Sequence, residues 1–299
     1  MIEILRAPPF ATVQDLGRLG HRAEGVPPSG AMDPGALRIL NQAVGNATGA
    51  AGIEWALGAG EARLERRCWA AVGPGAWQVD GQEAPPWSAT EIQPGQVLTL
   101  NPPATTRFSY LAISGGIDVP VILGSRSTYL TGRFGGWHGR LLKKGDRLPL
   151  GAAGDAGPVA IPPEQRPDYQ RPIRIVPGPQ ARFFGEEAWA ALLSGEYRIG
   201  HASDRMGYRL DGPALSHSGP VALPSEAACP GAIQVPDGAP PIVLMNDGPT
   251  VGGYPKIAVL VSVDLGLLAQ MVPGAAPPFV RVSQEQAVAA LQERSTAVS

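Results

Sequence analysis

Lysine is nearly missing. Of the 24 basic residues in the 299-residue chain, only Lys143, Lys144 and Lys256 are lysine, and the formal net charge is -2. With no basic stripe, a nucleic-acid partner is excluded as the main business of the chain. Cysteine is as scarce. Cys68 and Cys229 stand far apart, so no disulfide framework is expected. The four histidines (His21, His138, His201, His217) lack metal-ligand spacing and no H-E-x-x-H occurs, so no metal is expected. The longest apolar run, residues 257–263, is far too short for a bilayer, and the opening MIEILRAPPF has no apolar signal core. A soluble cytoplasmic protein with no membrane partner is the expectation. Also absent are a G-x-S-x-G elbow, a defensible Ser/His/Asp order and a GxxxxGK[ST] loop. None of the lysines lies between methionines, as a biotin-carrying lysine would.

Glycine and proline are abundant, at 39 and 32, and they punctuate short apolar runs, which points to turns between strands. Residues 2–5, 69–72, 76–79, 97–100, 106–113 and 119–123 read as strands. The pattern G-[Q/D]-x-L-x-L occurs twice, at 95–100 and 145–150, each a turn feeding an alternating strand with both leucines on one face. Such units suit a closed barrel or sandwich. Helices are few. Asp33 and Pro34 form a cap and first turn before Leu37, Leu40 and Val44. Residues 179–193 carry apolar side chains at helical spacing, and Ser283 with Gln286 forms a capping box. The Gly/Ala/Pro-rich segment 151–172 reads as a linker, with strand-like sequence resuming at Ile173. The expected architecture is mainly β: a first domain over 1–155, a linker over 151–172 and a second domain over 170–299.

Four polar, glycine-rich patches are candidates for chemistry. The first, 12-TVQDLGRLGHRAEGVPPSGAMD-33, gathers Gln14, Asp15, Arg18 and Ser29. Its plain alternative is a surface loop ending in the Asp33 cap. In the second, 114-SGGIDVPVILGSRSTYLTGRFGGWHGR-140, Ser125, Ser127 and Thr128 surround Arg126, a set suited to an anion; the alternative is a water-facing hairpin connection. The third, 203-SDRMGYRLDGP-213, holds Asp204 and Arg205; the alternative is a turn with a solvated ion pair. The fourth, 246-NDGPTVGGYPKIAVL-260, sets Asp247, Thr250, Gly253 and Tyr254 ahead of Lys256. There Lys256 either meets an anionic substrate at the rim of a strand or snorkels, and it also has Asp247 as a candidate partner.

The ordered set T-V-Q-D-x-G-R-x-G, G-V-P-x-S-G-A-M-D, S-G-G-I-D-V-P, L-G-S-R-S-T-Y, S-D-R-M-G-Y-R-L-x-G-P and T-x-G-G-Y-P-K-I-A spans nearly the whole chain. It resembles the biotin-dependent carboxyltransferase-like family that includes the C-type subunit of 5-oxoprolinase, known also as allophanate hydrolase subunit 2 or an antagonist of a sporulation-kinase inhibitor. The second half of the carboxyltransferase region of urea carboxylase is similar too. The resemblance implies two tandem cyclophilin-like β-barrels with a few short helices. It implies ATP-dependent opening of 5-oxo-L-proline to L-glutamate with 5-oxoprolinase partner chains of the B type and the A type, ATP lying at or with a partner. Two alternatives are a carboxyltransferase-type chain acting on urea or another small amide, and a non-catalytic protein that antagonises a kinase inhibitor resembling the B-type chain. Carried onto this sequence, the family pattern implies catalytic roles for Lys256, Thr250 and Asp247. The candidate substrate contacts are Gln14, Asp15, Arg18, Ser29, Ser125, Arg126, Ser127, Thr128, Asp204, Arg205, Gly253 and Tyr254, and because glycine-rich loops from separate segments can build a small polar site, the four patches are expected to meet at one pocket that a partner can complete. One departure stands out: Pro249 and Val251 replace a glutamine and a threonine of the family's Q-T-T-G-G-Y-P, removing an amide's two donors and its acceptor.

Overall fold

The structure, a computed structural model, describes residues 1–101, 105–154, 157–220 and 223–297. It divides into two compact units: Met1–Leu19 with Pro28–Pro167, and Gly20–Pro27 with Asp168–Ser299. Residues 155–156 of the segment read as a linker lie outside the described residues.

In the first unit the elements run β1 (Ile2–Arg6), β2 (Phe10–Gln14), α1 (Pro34–Ala43), β3 (Gly52–Ala56), β4 (Gly60–Leu64), β5 (Cys68–Gly73), β6 (Ala76–Val79), β7 (Gln82–Ala84), β8 (Thr90–Ile92), β9 (Val97–Asn101), β10 (Phe108–Ile113) and β11 (Arg147–Leu148). Among the described residues they form a sheet ordered β11-β1-β4-β9-β6-β7 and a second ordered β2-β3-β10-β5-β8. Alternation places the side chains: Ile2 and Ile4 of β1 and Leu98 and Leu100 of β9 are buried, with more exposed neighbours between them. They pack with Trp55, Trp77, Ile53 and Leu111. β10 is buried throughout, Ser109 included, as suits a central strand. The two G-[Q/D]-x-L-x-L repeats are used alike: Gly95 N–H donates to the Leu64 carbonyl and Gly145 N–H to the Ile4 carbonyl, each bringing the following strand into the same sheet.

α1 begins as its sequence dictates. The Asp33 carboxylate accepts from Ala36 N–H at 3.1 Å, Pro34 occupies the first turn, and Leu37 and Leu40 are buried. Behind it, the fully buried Glu54 carboxylate accepts from Met32 N–H and from the Tyr110 hydroxyl, both at 2.8 Å. The Tyr110 oxygen accepts in turn from Asp33 N–H at 2.8 Å. Burial first, then the Glu54 charge, drives the Tyr110 phenol well above its ordinary pKa. Residues 119–123 are not a strand. Pro120 cannot donate to a ladder, and Ile122 and Ser125 close a tight turn with backbone bonds of 2.8 and 3.2 Å.

The second unit contains β12 (Ile173–Pro177), α2 (Glu186–Leu193), β13 (Arg198–Ile199), β14 (Gly207–Asp211), β15 (Glu226–Ala227), β16 (Ala232–Gln234), β17 (Ile242–Leu244), β18 (Val251–Gly252), β19 (Lys256–Leu260), α3 (Leu265–Ala269), β20 (Phe279–Arg281) and α4 (Gln284–Ala297). Its main sheet runs β13-β14-β17-β16-β19-β12-β20; β15 and β18 form a separate two-stranded ribbon. The helix expected over 179–193 is split. A 3-10 turn at Ala181–Phe183 ends in extended Phe184, and α2 starts only after Gly185. The apolar run 257–263 is a strand only in part: β19 begins one residue before it, at Lys256, and stops at Leu260. The capping box forms at α4: Ser283 N–H to Gln286 Oε1 at 2.9 Å and Gln286 N–H to Ser283 Oγ at 3.2 Å. The excursion Gly20–Pro27 is tied into this unit by the Arg22 guanidinium, which donates to the Ala228 carbonyl. The chain is thus mainly β with a few short helices.

Candidate functional site

In the first unit the first two patches meet. β2 ends at Gln14, and the chain turns through Asp15 against the loop 125–128. The Asp15 carboxylate accepts from Ser125 Oγ at 2.6 Å, from Arg126 N–H at 2.5 Å, from Gly17 N–H at 2.8 Å and from Ser127 Oγ. Ser127 Oγ also accepts from Asp15 N–H at 3.0 Å. Thr128 bonds the Val13 carbonyl through its hydroxyl at 2.9 Å. Gln14 Nε2 reaches Thr12 Oγ1 and the Thr128 carbonyl at 3.0 and 3.3 Å. Arg18, almost wholly buried, donates to the Ser127 carbonyl and lies 4.9 Å from the centre of the Phe134 ring. Ser29 is buried at a left-handed φ of 53°. Next to it Gly30 packs on Gly17 so closely that a Cβ on Gly30 would lie 2.8 Å from Gly17 N.

Two expectations change here. The polar residues Asp15, Arg18, Ser125, Ser127 and Thr128 do not face water but are all buried, although parts of both patches such as Leu19 and Val121 are exposed. Nor do the three hydroxyls gather around the Arg126 guanidinium. Buried carboxylate oxygens need donors, and Asp15 takes the two serines. Arg126 turns outward to Asp118, at 2.7 Å, and its Nε has no protein partner among the described residues.

In the second unit the third and fourth patches meet. Arg205 and Asp247 form a two-pronged pair, Nε–Oδ2 2.7 Å and Nη2–Oδ1 3.0 Å, with both side chains about nineteen-twentieths buried. The Asp247 N–H also bonds the Arg205 carbonyl at 2.9 Å. The solvated Asp204–Arg205 pair is therefore absent: Asp204 instead accepts from Met206 and Gly207 N–H at 2.8 and 3.2 Å and shapes the turn. With both Asp247 oxygens engaged, Asp247 does not partner Lys256.

Lys256 is not a rim lysine either. It is the first residue of β19 and only 2% exposed. Its ammonium donates to Glu226 Oε1 at 2.6 Å. Gln180 braces the pair, giving Nε2–H to the same Glu226 oxygen at 2.9 Å and accepting Lys256 N–H on Oε1 at 3.1 Å. The Lys256 hydrogen bond, with a smaller contribution from Gln180, outweighs desolvation and holds the Glu226 carboxyl below its ordinary value. Thr250 is half-buried and its carbonyl accepts from Ala228 N–H at 3.0 Å; the Gly253 carbonyl accepts from Leu223 N–H at 2.8 Å. Tyr254 is exposed. Chemically, this is a buried ammonium held by one carboxylate, which the Gln180 amide braces in turn, able to face a group that gains negative charge.

Gln180 and Glu226 belong to none of the four patches. Glu226 has no local signal, because its contacts to Lys256 and Gln180 span 30 and 46 residues. The one usable cue was Gln234, a polar residue between Ile233 and Val235 in a short apolar strand.

The two mainly β units and these polar clusters belong to a chain of the carboxyltransferase domain family, subdomains A and B, whose family model matches residues 24–281. Its similarity to the C-type subunit of 5-oxoprolinase from Escherichia coli (strain K12) is 40% identity over 98% of this chain and 95% of that one. The corresponding 5-oxoprolinase chain of Haemophilus influenzae is 35% identical over 96% and 93%. Among solved structures, the K. lactis urea amidolyase aligns with a TM-score of 0.94 at 29% identity, covering 100% of this chain and 20% of that one. The chain thus spans about a fifth of that enzyme's length.

Proposed function

We propose that this chain is the C-type subunit of an ATP-dependent 5-oxoprolinase, which opens 5-oxo-L-proline with ATP and water to give L-glutamate, ADP and phosphate. The observation that carries the reading is the end-to-end 40% identity to a protein of that name, across 98% of one chain and 95% of the other. Lactam opening builds negative charge on the carbonyl oxygen. The Lys256 ammonium, held by Glu226 while Gln180 braces the Lys256 backbone and the carboxylate, suits that charge because it is a compact donor held in place before reaction. In this reading Lys256 is the catalytic residue. Asp247, clamped by Arg205, sets the loop that carries Thr250. The nucleotide lies at or with a partner chain of the B type or the A type, and the assembly is cytoplasmic. Among the described residues no helix is long and apolar enough to cross a membrane, in keeping with this.

A second reading has its own support. The urea amidolyase alignment covers the whole chain at a TM-score of 0.94, which favours a carboxyltransferase-type chain acting on urea or a related amide. The test is 5-oxoproline-dependent ATP turnover by the purified chain, alone and reconstituted with A-type and B-type chains. Turnover only in the assembly is expected. Urea-dependent turnover without 5-oxoproline turnover would replace the first reading by the second, and glutamate formation by the chain alone would overturn the need for partners.

A further inference from the structure

Beside Lys256 lies an amide nitrogen with nothing to bind among the described residues. Gln234 ends β16, is 5% exposed, and stands opposite Lys256 across the β16–β19 ladder, where a bulge interrupts the register. Residues opposite one another on antiparallel strands present their side chains on one face. Gln234 Nε2 has no hydrogen-bond partner among the described residues. It is aimed at Gly252, where an added Cβ would lie 2.6 Å from it. Gly252 in turn pairs with Glu226 in the β15–β18 ribbon, and Glu226 holds the Lys256 ammonium. One enclave therefore contains an unused N–H donor and an ammonium with protons beyond the one given to Glu226. Gly252 has no side chain, which lets the Gln234 amide lie this close to it.

A buried donor without an acceptor costs stability, and native chains keep few of them. The complement of this enclave is an uncharged oxygen with two lone pairs, which describes an amide or lactam carbonyl. A carboxylate would place a second anion next to Glu226. We propose that Gln234 is a substrate-binding residue, its amide N–H donating to the carbonyl oxygen of a small amide or lactam seated beside Lys256. The β15–β18 ribbon covers this amide. It has two registered pairs and, among the described residues, no neighbouring strand. The inference rests on the oxoprolinase reading for the identity of the substrate, and on Gln234 itself for the place of binding.

Gln234→Met keeps the length of the side chain and removes its polar atoms. Three measurements on wild type and variant decide the matter: calorimetric binding of 5-oxoproline and of urea to the assembled complex, 5-oxoproline-dependent ATP turnover, and the Tm of the chain. The expectation is a loss of affinity of at least about 10-fold for the carbonyl compound that wild type binds, since a donor to a buried oxygen is removed. The Tm should hold or rise by roughly 2–4 °C, because an unpaired buried donor is gone. A structural amide predicts the opposite, a lower Tm with unchanged affinity in the folded variant, and that result overturns the inference. Wild-type binding without turnover refutes the oxoprolinase reading while the Gln234 comparison still stands. Turnover that Gln234→Met leaves within about twofold of wild type refutes the inference and spares the reading. If wild type binds neither compound, both fall.

Discussion

Replacing Asp247 with alanine tests the account of the fourth patch. Asp247 meets Arg205 through two bonds of 2.7 and 3.0 Å, and the side chains are 5% and 6% exposed. Alanine removes the carboxylate and leaves a guanidinium sealed from water, a change that costs ~3–5 kcal/mol at buried pairs. At roughly 2–4 °C per kcal/mol for a chain of this size, the Tm should fall by about 6–20 °C. The internal reference is Arg67→Ala. Its pair with Glu91 sits in the open, the arginine side chain being 70% exposed, and such pairs contribute about 0–1 kcal/mol. The double variant Arg205→Met with Asp247→Leu should regain most of the loss, since it removes both charges together. Urea unfolding followed by circular dichroism, with the m-value checked for constancy, gives the differences directly. An Asp247→Ala chain within 1 kcal/mol of wild type, or a double variant no better than the single, would refute the claim that this pair organises the loop.

Lys256→Ala in the assembled complex should lower kcat by ~10²-fold or more with a smaller change in KM, the signature of a lost transition-state donor; wild-type kinetics would remove Lys256 from the chemistry. Cys68 is buried, and burial raises its thiol to about 11, whereas Cys229 is exposed. Native protein should therefore react with a chromogenic disulfide at one thiol per chain and unfolded protein at two, and two fast thiols in the native state would contradict the packing. Glu226 and Asp146 both sit below their ordinary values. For Asp146, burial pushes upward, but the two-pronged Arg140 contact and the Lys143 N–H outweigh it. A depressed carboxyl adds stability above its unfolded pKa of about 4.3 and loses it as pH falls through the folded value. Urea midpoints should thus hold from pH 7 to 5 and drop below pH 4, less steeply in Asp146→Asn; a midpoint that rises on acidification would reverse the sign.

The parts that were legible in sequence are those set by neighbours along the chain. Strand alternation placed Leu98, Leu100 and Leu148 in the core, Asp33 and Pro34 started α1, and Ser283 with Gln286 capped α4. The family was legible because its motifs are long and jointly ordered. What stayed hidden was pairing at a distance. A reading of residues 203–213 naturally joins Asp204 to Arg205, yet Arg205 crosses 42 positions to Asp247. Serines flanking Arg126 suggest a clamp, yet they answer a carboxylate 110 and 112 positions earlier. Lone lysines usually keep the ammonium in water. Lys256 is buried because Glu226 and Gln180 arrive from elsewhere, and no local pattern announces either.

The assignment of Gly20–Pro27 to the second unit, through Arg22 and the Ala228 carbonyl, bears on how the chain is made. A ribosome delivers this short segment almost at the outset, long before Asp168 emerges. The early segment has to wait while the sheets of the first unit close around its two ends, and only then does it receive its neighbours. Severing the gene after Pro167 would therefore yield two incomplete halves, one carrying an orphan loop and the other missing it.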